Sequence, residues 1–410
     1  MTTKGPVSAA NRSRQPPGRS SEAGVSAMNP NTVRGRIVSA SAELYDGVIS
    51  ILGERIAEVA PFAQWVAAHP DSPVPSYAGT VLPGLVDIHN HGGFGHRFDT
   101  VDPEQARGAA QFHRSRGSTT VVASVVTGPG AEMVAQVATL RELAQQGIIG
   151  GIHAEGPFLA AARCGAQDPR YLRDPDLELT EQLLAAAGGH LRVMTLAPEL
   201  PGYDKVAQRL SDSGTVVALG HSDTDFARFR AALRPGGPAA LVTHLANGMP
   251  PLHHRTPGPV AAGLVAAADG AAVVELIGDG VHVDSGFGAL VFAAAAGRVA
   301  LITDAMQAAG MPDGDYVLGP QRVRVSGGVA RIANGSIAGG TSTLLDGLSW
   351  AVNSCGVPLR AAVCAATSVP ARAAGLTEVG DLRPGLRADL LVVDADLRLR
   401  RVLSRGQWLS

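Results

Sequence analysis

Two histidines at the end of an apolar segment offer the first metal-ligand pattern in the chain. Residues 81–88 are apolar and read as a buried strand, which the chain enters through Pro83-Gly84, and His89 and His91 follow at its end. Because side chains alternate between the two faces of a strand, both histidines are expected on the same face. Two adjacent imidazoles form half of a metal site, and the alternative is a pair of satisfied polar residues.

Histidines and carboxylates recur at the ends of later apolar runs. In barrels that alternate strands and helices, catalytic groups lie at the C-terminal ends of the strands, so these side chains are predicted to share one site. The residues concerned are Glu155, Glu199, His221, His244, Asp279, His282 and Asp304.

The elements that must position these groups are eight apolar runs, most of them followed by a helical pattern. Several of the predicted helices close on glycine, as helix C-termini commonly do. Eight strands that alternate with helices predict the α/β class and a (β/α)8 TIM-like barrel. The runs are 81–88, 119–126, 148–153, 191–196, 215–219, 240–243, 272–277 and 299–303. The helices are 103–117, 131–147, 180–188, 204–214, 224–234 and 284–297, with 341–353 and 359–374 after the last run.

The two ends of the chain have a different character. Residues 33–80 contain short β patterns, and so does the segment after 376. Because neither piece has enough strands for a core, we predict that 33–80 and 376–410 form one discontinuous β-sandwich domain beside a catalytic barrel at 81–375. Residues 1–32 are rich in Ser, Pro, Arg and Asn, which predicts a disordered tail.

The composition of the chain bears on whether it binds nucleic acid, spans a membrane or forms disulfides. The 410 residues carry a net charge of −2, which gives no preference for nucleic acid. No run of about 18 apolar residues predicts a membrane span. The three cysteines form no C-x-x-C pair, which is typical of a reducing, cytoplasmic location.

Five motifs, in this order, resemble those of the amidohydrolase superfamily and, more narrowly, of the N-acetylglucosamine-6-phosphate deacetylase family. The resemblance extends from about residue 33 to the C-terminus. It implies that the chain hydrolyses the acetamide of an amino-sugar phosphate and works as a homodimer. The motifs are Glu155-Gly156-Pro157-Phe158, Gly220-His221-Ser222, Thr243-His244-Leu245, Gly278-Asp279-Gly280-Val281-His282 and Thr303-Asp304-Ala305-Met306.

The same resemblance implies a role for each candidate residue. Glu155, His221 and His244 hold one divalent ion, and zinc is the expected metal. His89 and His91 hold a second ion, with Glu155 as a bridge. Asp304 is the implied catalytic base and acid. The implied substrate-binding residues are Ala166, Gln167, Asn247, Gly248, Arg255, Asp279, His282, Ile337, Ala338 and Gly339.

One departure from the family pattern concerns Gln167, which stands where the family commonly has a histidine that binds substrate and polarises the scissile carbonyl. Glutamine donates a hydrogen bond but carries no charge, so the sequence predicts a lower rate or an altered substrate choice.

Two other functions remain open. One is a hydrolase of cyclic amides or amidines, although the only barrel lysine, Lys205, falls in a predicted helix and not at a strand end. The other is a non-catalytic scaffold.

Overall fold

The computed structural model describes Met1 and residues 31–409. The predicted tail therefore lies mostly outside the described residues, and the first strand already begins at Asn31. The strands are β1 (Asn31–Val38), β2 (Glu43–Leu52), β3 (Arg55–Pro61), β4 (Tyr77–Pro83), β5 (Val86–Asn90), β6 (Gly92–Gly93), β7 (His96–Arg97), β8 (Thr120–Val125), β9 (Gly151–Glu155), β10 (Leu191–Leu196), β11 (Val216–Leu219), β12 (Ala239–Val242), β13 (Val273–Ile277), β14 (Val299–Ile302), β15 (Gly314–Leu318), β16 (Gln321–Ser326), β17 (Val329–Arg331), β18 (Leu390–Val393), β19 (Leu399–Ser404) and β20 (Gln407–Trp408). The helices are α1 (Phe62–Ala68), α2 (Pro103–Ser115), α3 (Gly130–Gln145), α4 (Leu177–Ala187), α5 (Tyr203–Asp212), α6 (Phe226–Ala232), α7 (Gly258–Ala268), α8 (Ser285–Ala294), α9 (Leu344–Asn353), α10 (Leu359–Ala366) and α11 (Ser368–Ala373).

The predicted (β/α)8 barrel is confirmed. Eight parallel strands lie side by side in the order β14-β13-β12-β11-β10-β9-β8-β5. The ring closes between the first and last of them, where the Asp304 N–H donates to the His89 carbonyl at 3.0 Å and Asn90 forms a bridge with Ala305. Closure therefore brings the C-terminal ends of β5 and β14 together, which is where the candidate residues lie.

The first predicted strand, 81–88, is wrong as a single element. Pro83 ends β4, and the barrel strand β5 begins only at Val86. The two halves enter different sheets because residues 80–83 of β4 pair with β18, a strand about 300 residues further on, while Gly84 N–H donates to the Asp389 carbonyl. A local apolar pattern does not reveal such a distant partner.

Most predicted helices surround the barrel, and local signals fix their ends. Asp102 and Asp176 cap α2 and α4, and α4 ends at Gly188 with φ +54°. Helix α7 was not predicted, because it is apolar on all sides and begins Gly-Pro, so it shows no amphipathic period. The predicted helix 359–374 is two helices, because Thr367 leaves the helical conformation three residues before Pro370.

The predicted pairing of the two chain ends is confirmed. One seven-stranded sheet has the order β20-β19-β18-β4-β1-β2-β3 and so combines the N-terminal and C-terminal strands. Its far edge curls back, since Ile56 N–H donates to the Leu386 carbonyl at 2.9 Å and the Ile56 carbonyl accepts from Gly385 N–H. Ile37, Ile49 and Leu390 are buried in the core that the sheet encloses.

A three-stranded sheet, β15-β16-β17, covers one side of the barrel mouth where a hairpin-like insertion was predicted. Its inner face packs Val323 and Val325 against Met306, which follows the last barrel strand. The segment after β17 then leads Ile337 and Gly339 to the mouth. Within residues 31–409, no helix is both long and apolar enough to cross a membrane.

Candidate metal centre and active site

Two clusters of metal-ligating side chains lie side by side at the C-terminal ends of the barrel strands. His221, His244 and Glu155 form the first, which we call the β9 cluster, and His89, His91 and Asp304 form the second, which we call the β5 cluster. All six side chains are buried except Asp304, which is partly exposed. The structure thus brings together every residue that the resemblance implied as a ligand.

In the β9 cluster, three electron-pair donors face one another. His221 Nε2 lies 3.1 Å from Glu155 Oε1 and 3.1 Å from His244 Nε2, and His244 Nε2 lies 2.9 Å from the same carboxylate oxygen. The tautomer of His221 is fixed, because its Nδ1 donates to the Arg163 carbonyl at 2.7 Å and leaves Nε2 as the ligand atom.

The β5 cluster has the same character. His89 Nε2 and His91 Nε2 are 3.1 Å apart, which confirms that both histidines face one point. Asp304 Oδ1 lies 3.2 Å from His91 Nε2 and 3.5 Å from His89 Nε2. Two nitrogens and a carboxylate oxygen are the ligands that zinc and similar divalent ions take.

Glu155 stands between the two clusters, as the resemblance implied for a bridging ligand. Its Oε1 faces both histidines of the β9 cluster and lies 3.6 Å from His89 Nε2. Its Oε2 lies 3.3 Å from His91 Nε2. A single carboxylate therefore contacts all four imidazoles.

These groups shift one another's pKa strongly. Burial lowers the pKa of His91, but Asp304 and Glu155 outweigh burial and raise it to about 9. Burial raises the pKa of Asp304, but the charges on His89 and His91 outweigh burial and bring it down to about 2. The pKa of Glu155 is likewise lowered well below its usual value, against burial, by His89, His221 and His244. Carboxylates that stay ionised beside imidazoles attract a cation.

The backbone at three of these residues is in the left-handed region, which residues other than glycine seldom adopt. His221, His244 and Asp304 have φ values of +48°, +27° and +46°. Each directly follows, or nearly follows, a barrel strand, and the sharp turn aims its side chain across the mouth. Strained residues of this kind cluster at functional sites.

The residues themselves fit a divalent metal. The lone pairs of neutral imidazole Nε2 atoms and of a carboxylate oxygen accept hydrogen bonds, and none of these atoms donates one. They repel one another at about 3 Å unless a cation or a proton lies between them. Ligand atoms about 2.1 Å from one tetrahedral ion lie roughly 3.4 Å apart, close to the separations in both clusters.

A cavity of about 270 Å³ opens directly over both clusters. The predicted substrate-binding residues that line it are Ala166, Gln167, Asn247, Gly248, His282, Ile337 and Gly339. Ala338 is fully buried in the core under the insertion, so only its neighbours face the cavity.

The structure does not bring Arg255 to this cavity. Arg255 is exposed on the loop after β12, where Pro250, Pro251 and Pro257 carry the chain outward, and it lines a separate cleft with Asp223. Its predicted contact with phosphate stays a prediction.

His282 is the one histidine of the cavity wall outside the two clusters, and Asp279 holds it. Asp279 Oδ2 accepts from His282 Nδ1 at 2.7 Å, and Oδ1 accepts the main-chain N–H groups of Val281 and His282. Burial lowers the pKa of His282, but Asp279 outweighs burial and raises it. The other ring nitrogen, Nε2, is thereby available to donate to an anionic or oxygen-rich ligand. Asp279 does not line the cavity and holds His282 from the side away from it.

Sequence reasoning missed Glu275, which contacts both clusters. It lies inside β13, is fully buried, and accepts from His89 Nδ1 at 3.0 Å and from the His244 main-chain N–H at 3.2 Å. The signal in the sequence was a single carboxylate within Val273-Val274-Glu275-Leu276-Ile277, an otherwise apolar strand. A charge at such a position is costly unless it has a partner.

Comparison with known proteins identifies the family. The amidohydrolase family model matches residues 80–206 and 269–408. An N-acetylgalactosamine-6-phosphate deacetylase of Escherichia coli O157:H7 is 36% identical over 81% of this chain and 88% of its own length. An N-acetylglucosamine-6-phosphate deacetylase of Bacillus subtilis is 31% identical over 90% of this chain and 94% of its own.

A solved structure agrees with these relatives. The N-acetyl-D-glucosamine-6-phosphate deacetylase of Mycobacterium smegmatis superimposes with a TM-score of 0.86 at 37% identity, over 92% of this chain and 100% of its own. A variant of that enzyme was solved in complex with N-acetyl-D-glucosamine-6-phosphate. The chain therefore belongs to the amidohydrolase family and, within it, to the group of amino-sugar-6-phosphate deacetylases.

Proposed function

We propose that this protein hydrolyses the acetamide of N-acetyl-D-glucosamine 6-phosphate to D-glucosamine 6-phosphate and acetate. The observation that carries the proposal is the convergence of four imidazole Nε2 atoms, Glu155 and Asp304 under one small cavity. The size of the cavity suits a single sugar rather than a polymer. The relatives are named for deacetylation of such a sugar phosphate, and the solved complex contains one.

The metal is proposed to be zinc, with one or two ions in each chain. Glu155, His221 and His244 would hold one ion, and His89, His91 and Asp304, with Glu155 as a bridge, would hold the other. A divalent ion at such a site lowers the pKa of water to about 7 and polarises a carbonyl group.

The chain's own residues would then move the protons. Asp304 is ionised at neutral pH and partly exposed to the cavity, so it can accept a proton from the attacking water. As the tetrahedral intermediate collapses, the same carboxyl group would return that proton to the leaving amine. A neutral amine and acetic acid are then released, and the acid loses its proton to solvent to give acetate.

The cavity wall is proposed to orient the sugar. His282 would donate from Nε2 to a phosphate or hydroxyl oxygen, and the Asn247 and Gly248 segment would meet the sugar from the side of His221. Gly248 has φ +62°, and a Cβ there would lie 2.8 Å from His221 Nδ1, so glycine avoids a close contact with this ring.

The domain boundaries, the homodimer and the cytoplasmic location belong to the proposal as well. The mixed sheet built from both chain ends supports the division into 33–80 with 376–410 and 81–375, except that the sheet begins at Asn31 and its strand β4 extends to Pro83. The dimer and the location are supported by the family resemblance, and the location also by the three cysteines, which form no disulfide.

The alternatives are less well supported. A scaffold does not need six converging ligand side chains, of which His89, His221 and Glu155 are held by hydrogen bonds from behind. A hydrolase of cyclic amides is disfavoured because Glu155 already supplies the carboxylate between the two clusters.

The test is a comparison of acetate release from three substrates by the metal-loaded enzyme. We expect turnover of N-acetylglucosamine 6-phosphate, with the unphosphorylated sugar at least 100-fold poorer in kcat/KM. The 4-epimer, N-acetylgalactosamine 6-phosphate, must be included because one relative is named for it. Bound metal with no acetate from any of the three would overturn the proposal, and a preference for the galacto sugar would correct its specificity.

A further inference from the structure

We infer that Glu275 is a positioning residue that makes the β5 cluster a second cation site; the inference rests on the proposed metal-dependent function. Nothing in the sequence or in the family resemblance assigned this residue a role. The inference depends on what the Glu275 carboxylate contacts.

The Glu275 carboxylate sets the orientation of His89. A carboxylate only accepts hydrogen bonds, so the 3.0 Å contact of Glu275 Oε2 requires that His89 Nδ1 carries the hydrogen. The lone pair of His89 is then on Nε2, which points at His91 and Asp304. Glu275 thus fixes both the ring orientation and the ligand atom, as an outer-shell carboxylate does for a metal-bound histidine.

Glu275 also links the two clusters. The same Oε2 atom accepts the main-chain N–H of His244 at 3.2 Å, and the Glu275 main-chain carbonyl accepts from Leu245 N–H at 2.9 Å. The turn that carries His244 is in the left-handed conformation. The Glu275 side chain therefore holds one candidate ligand from each cluster. It holds the ring of His89 but only the main chain of His244, so its removal should affect the imidazole of His89 more.

The Glu275 carboxylate also adds a buried negative charge beside the two clusters. Glu275 is fully buried, and its Oε1 has no hydrogen-bond partner among the described residues. A buried carboxylate is costly unless a cation balances it. Glu155, Asp304 and Glu275 bring three negative charges to four imidazoles. One divalent ion with neutral imidazoles would leave a net charge of −1, and a second ion would bring the site to +1. Glu275 therefore lowers the electrostatic cost of the second ion.

The experiment measures the metal content and the metal affinity of the purified full chain. Apo protein is titrated with Zn²⁺ against a competing chelator, and bound metal is counted by mass spectrometry after dialysis. Three variants accompany the wild type. Glu275→Leu removes the acceptor and the charge, and Glu275→Gln keeps an acceptor oxygen. Asp389→Leu removes a buried carboxylate far from the site and so controls for a general loss of stability.

We expect two ions in the wild type and in Asp389→Leu. Glu275→Leu should keep one ion and bind the second 10- to 100-fold more weakly, and Glu275→Gln should lie between them. Two ions with undiminished affinity in Glu275→Leu would overturn the inference, and so would a wild type that takes up only one ion. If Glu275→Leu does not fold, undiminished affinity of Glu275→Gln for the second ion has the same consequence. A wild type that takes up no ion would contradict the proposed function itself, and the inference with it.

Discussion

Gln167 Nε2 donates to Glu155 Oε2 at 2.6 Å. The orientation of the amide is not ambiguous, because its Oε1 accepts from the Thr127 main-chain N–H at 2.8 Å and a backbone N–H only donates. Both ends of the Gln167 side chain are thus engaged, and the side chain is buried. The residue that departs from the family pattern therefore holds the carboxylate that contacts both clusters, and only its second N–H remains for a substrate.

Replacement of Gln167 by leucine should weaken metal binding as well as turnover. Leucine has a similar volume but leaves Glu155 Oε2 and the buried Thr127 N–H without this partner. Loss of an outer-shell hydrogen bond costs about 10- to 100-fold in metal affinity or activity. Chelator competition measures the affinity, and Gln167→His is the matched variant that restores a donor. Wild-type metal affinity in Gln167→Leu would show that the contact does not support the site.

Replacement of Asp304 by asparagine should keep metal in the β9 cluster and remove most turnover. Asparagine tolerates the left-handed φ of +46°, so the backbone turn is preserved, but the amide does not accept a proton. General acid–base catalysis is worth about 10²- to 10⁴-fold, and kcat should fall by that factor. Steady-state acetate release together with a metal count checks this, and near-normal kcat would exclude Asp304 as the base.

Metal uptake should release protons. The pKa of His91 is raised to about 9 by Asp304 and Glu155, so the imidazole is protonated below that pH and must lose its proton to bind an ion. The apparent affinity should therefore rise with pH between about 6.5 and 9 and level off above. Calorimetric titrations in buffers of different ionisation enthalpy count the released protons. An affinity that is constant across this range, with no proton release, would contradict the prediction.

Replacement of Asp279 by asparagine should impair substrate binding more than chemistry. Asp279 outweighs burial and raises the pKa of His282, so the imidazole stays charged to a pH above its ordinary value of 6.5. Without the carboxylate that pKa falls, and KM for the phosphorylated sugar should rise several-fold at neutral pH, with the difference shrinking as pH drops. Profiles of kcat and KM against pH separate an effect on substrate binding from an effect on the chemical step. A fall in kcat alone would instead place His282 in the chemical step.

The clustering of the candidate metal ligands could be predicted from the sequence because they stand at the ends of apolar runs, where a barrel must gather side chains. His221, His244 and Asp304 are examples, and the barrel itself follows from the count of runs. Glu275 could not be assigned in this way. Glu275 lies within a strand, where a carboxylate points inward. Its partner, His89, is 186 positions away in the sequence, so the contact cannot be read from the local pattern.

Other differences have the same non-local origin. The split between β4 and β5 depends on β18, which pairs with β4 from the far end of the chain. The position of Arg255 depends on the path of a proline-containing loop, which has no periodicity to follow. Gln167 was interpreted through its family counterpart, whereas its two hydrogen bonds are visible only when Thr127 and Glu155 are placed beside it.

The last prediction concerns how the terminal sheet is joined to the barrel. Arg387 pairs with the buried carboxylate of Asp389 at 2.5 Å and also donates to Thr120 Oγ1 in the barrel strand β8. Replacing Arg387 by methionine leaves the Asp389 charge buried with a single main-chain donor from Arg405, so the free energy of unfolding should fall by about 3 kcal/mol.

Urea unfolding followed by fluorescence and circular dichroism measures this loss. Adding Asp389→Asn to the methionine variant should recover part of it, because the uncompensated charge is then gone. The exposed pair of Arg209 and Glu181 provides the control, since Arg209→Met should leave the unfolding free energy nearly unchanged. If Arg387→Met is as stable as the wild type, the buried pair does not join the two parts of the molecule. If the terminal sheet unfolds in a separate, earlier transition, the two proposed domains are independently stable units.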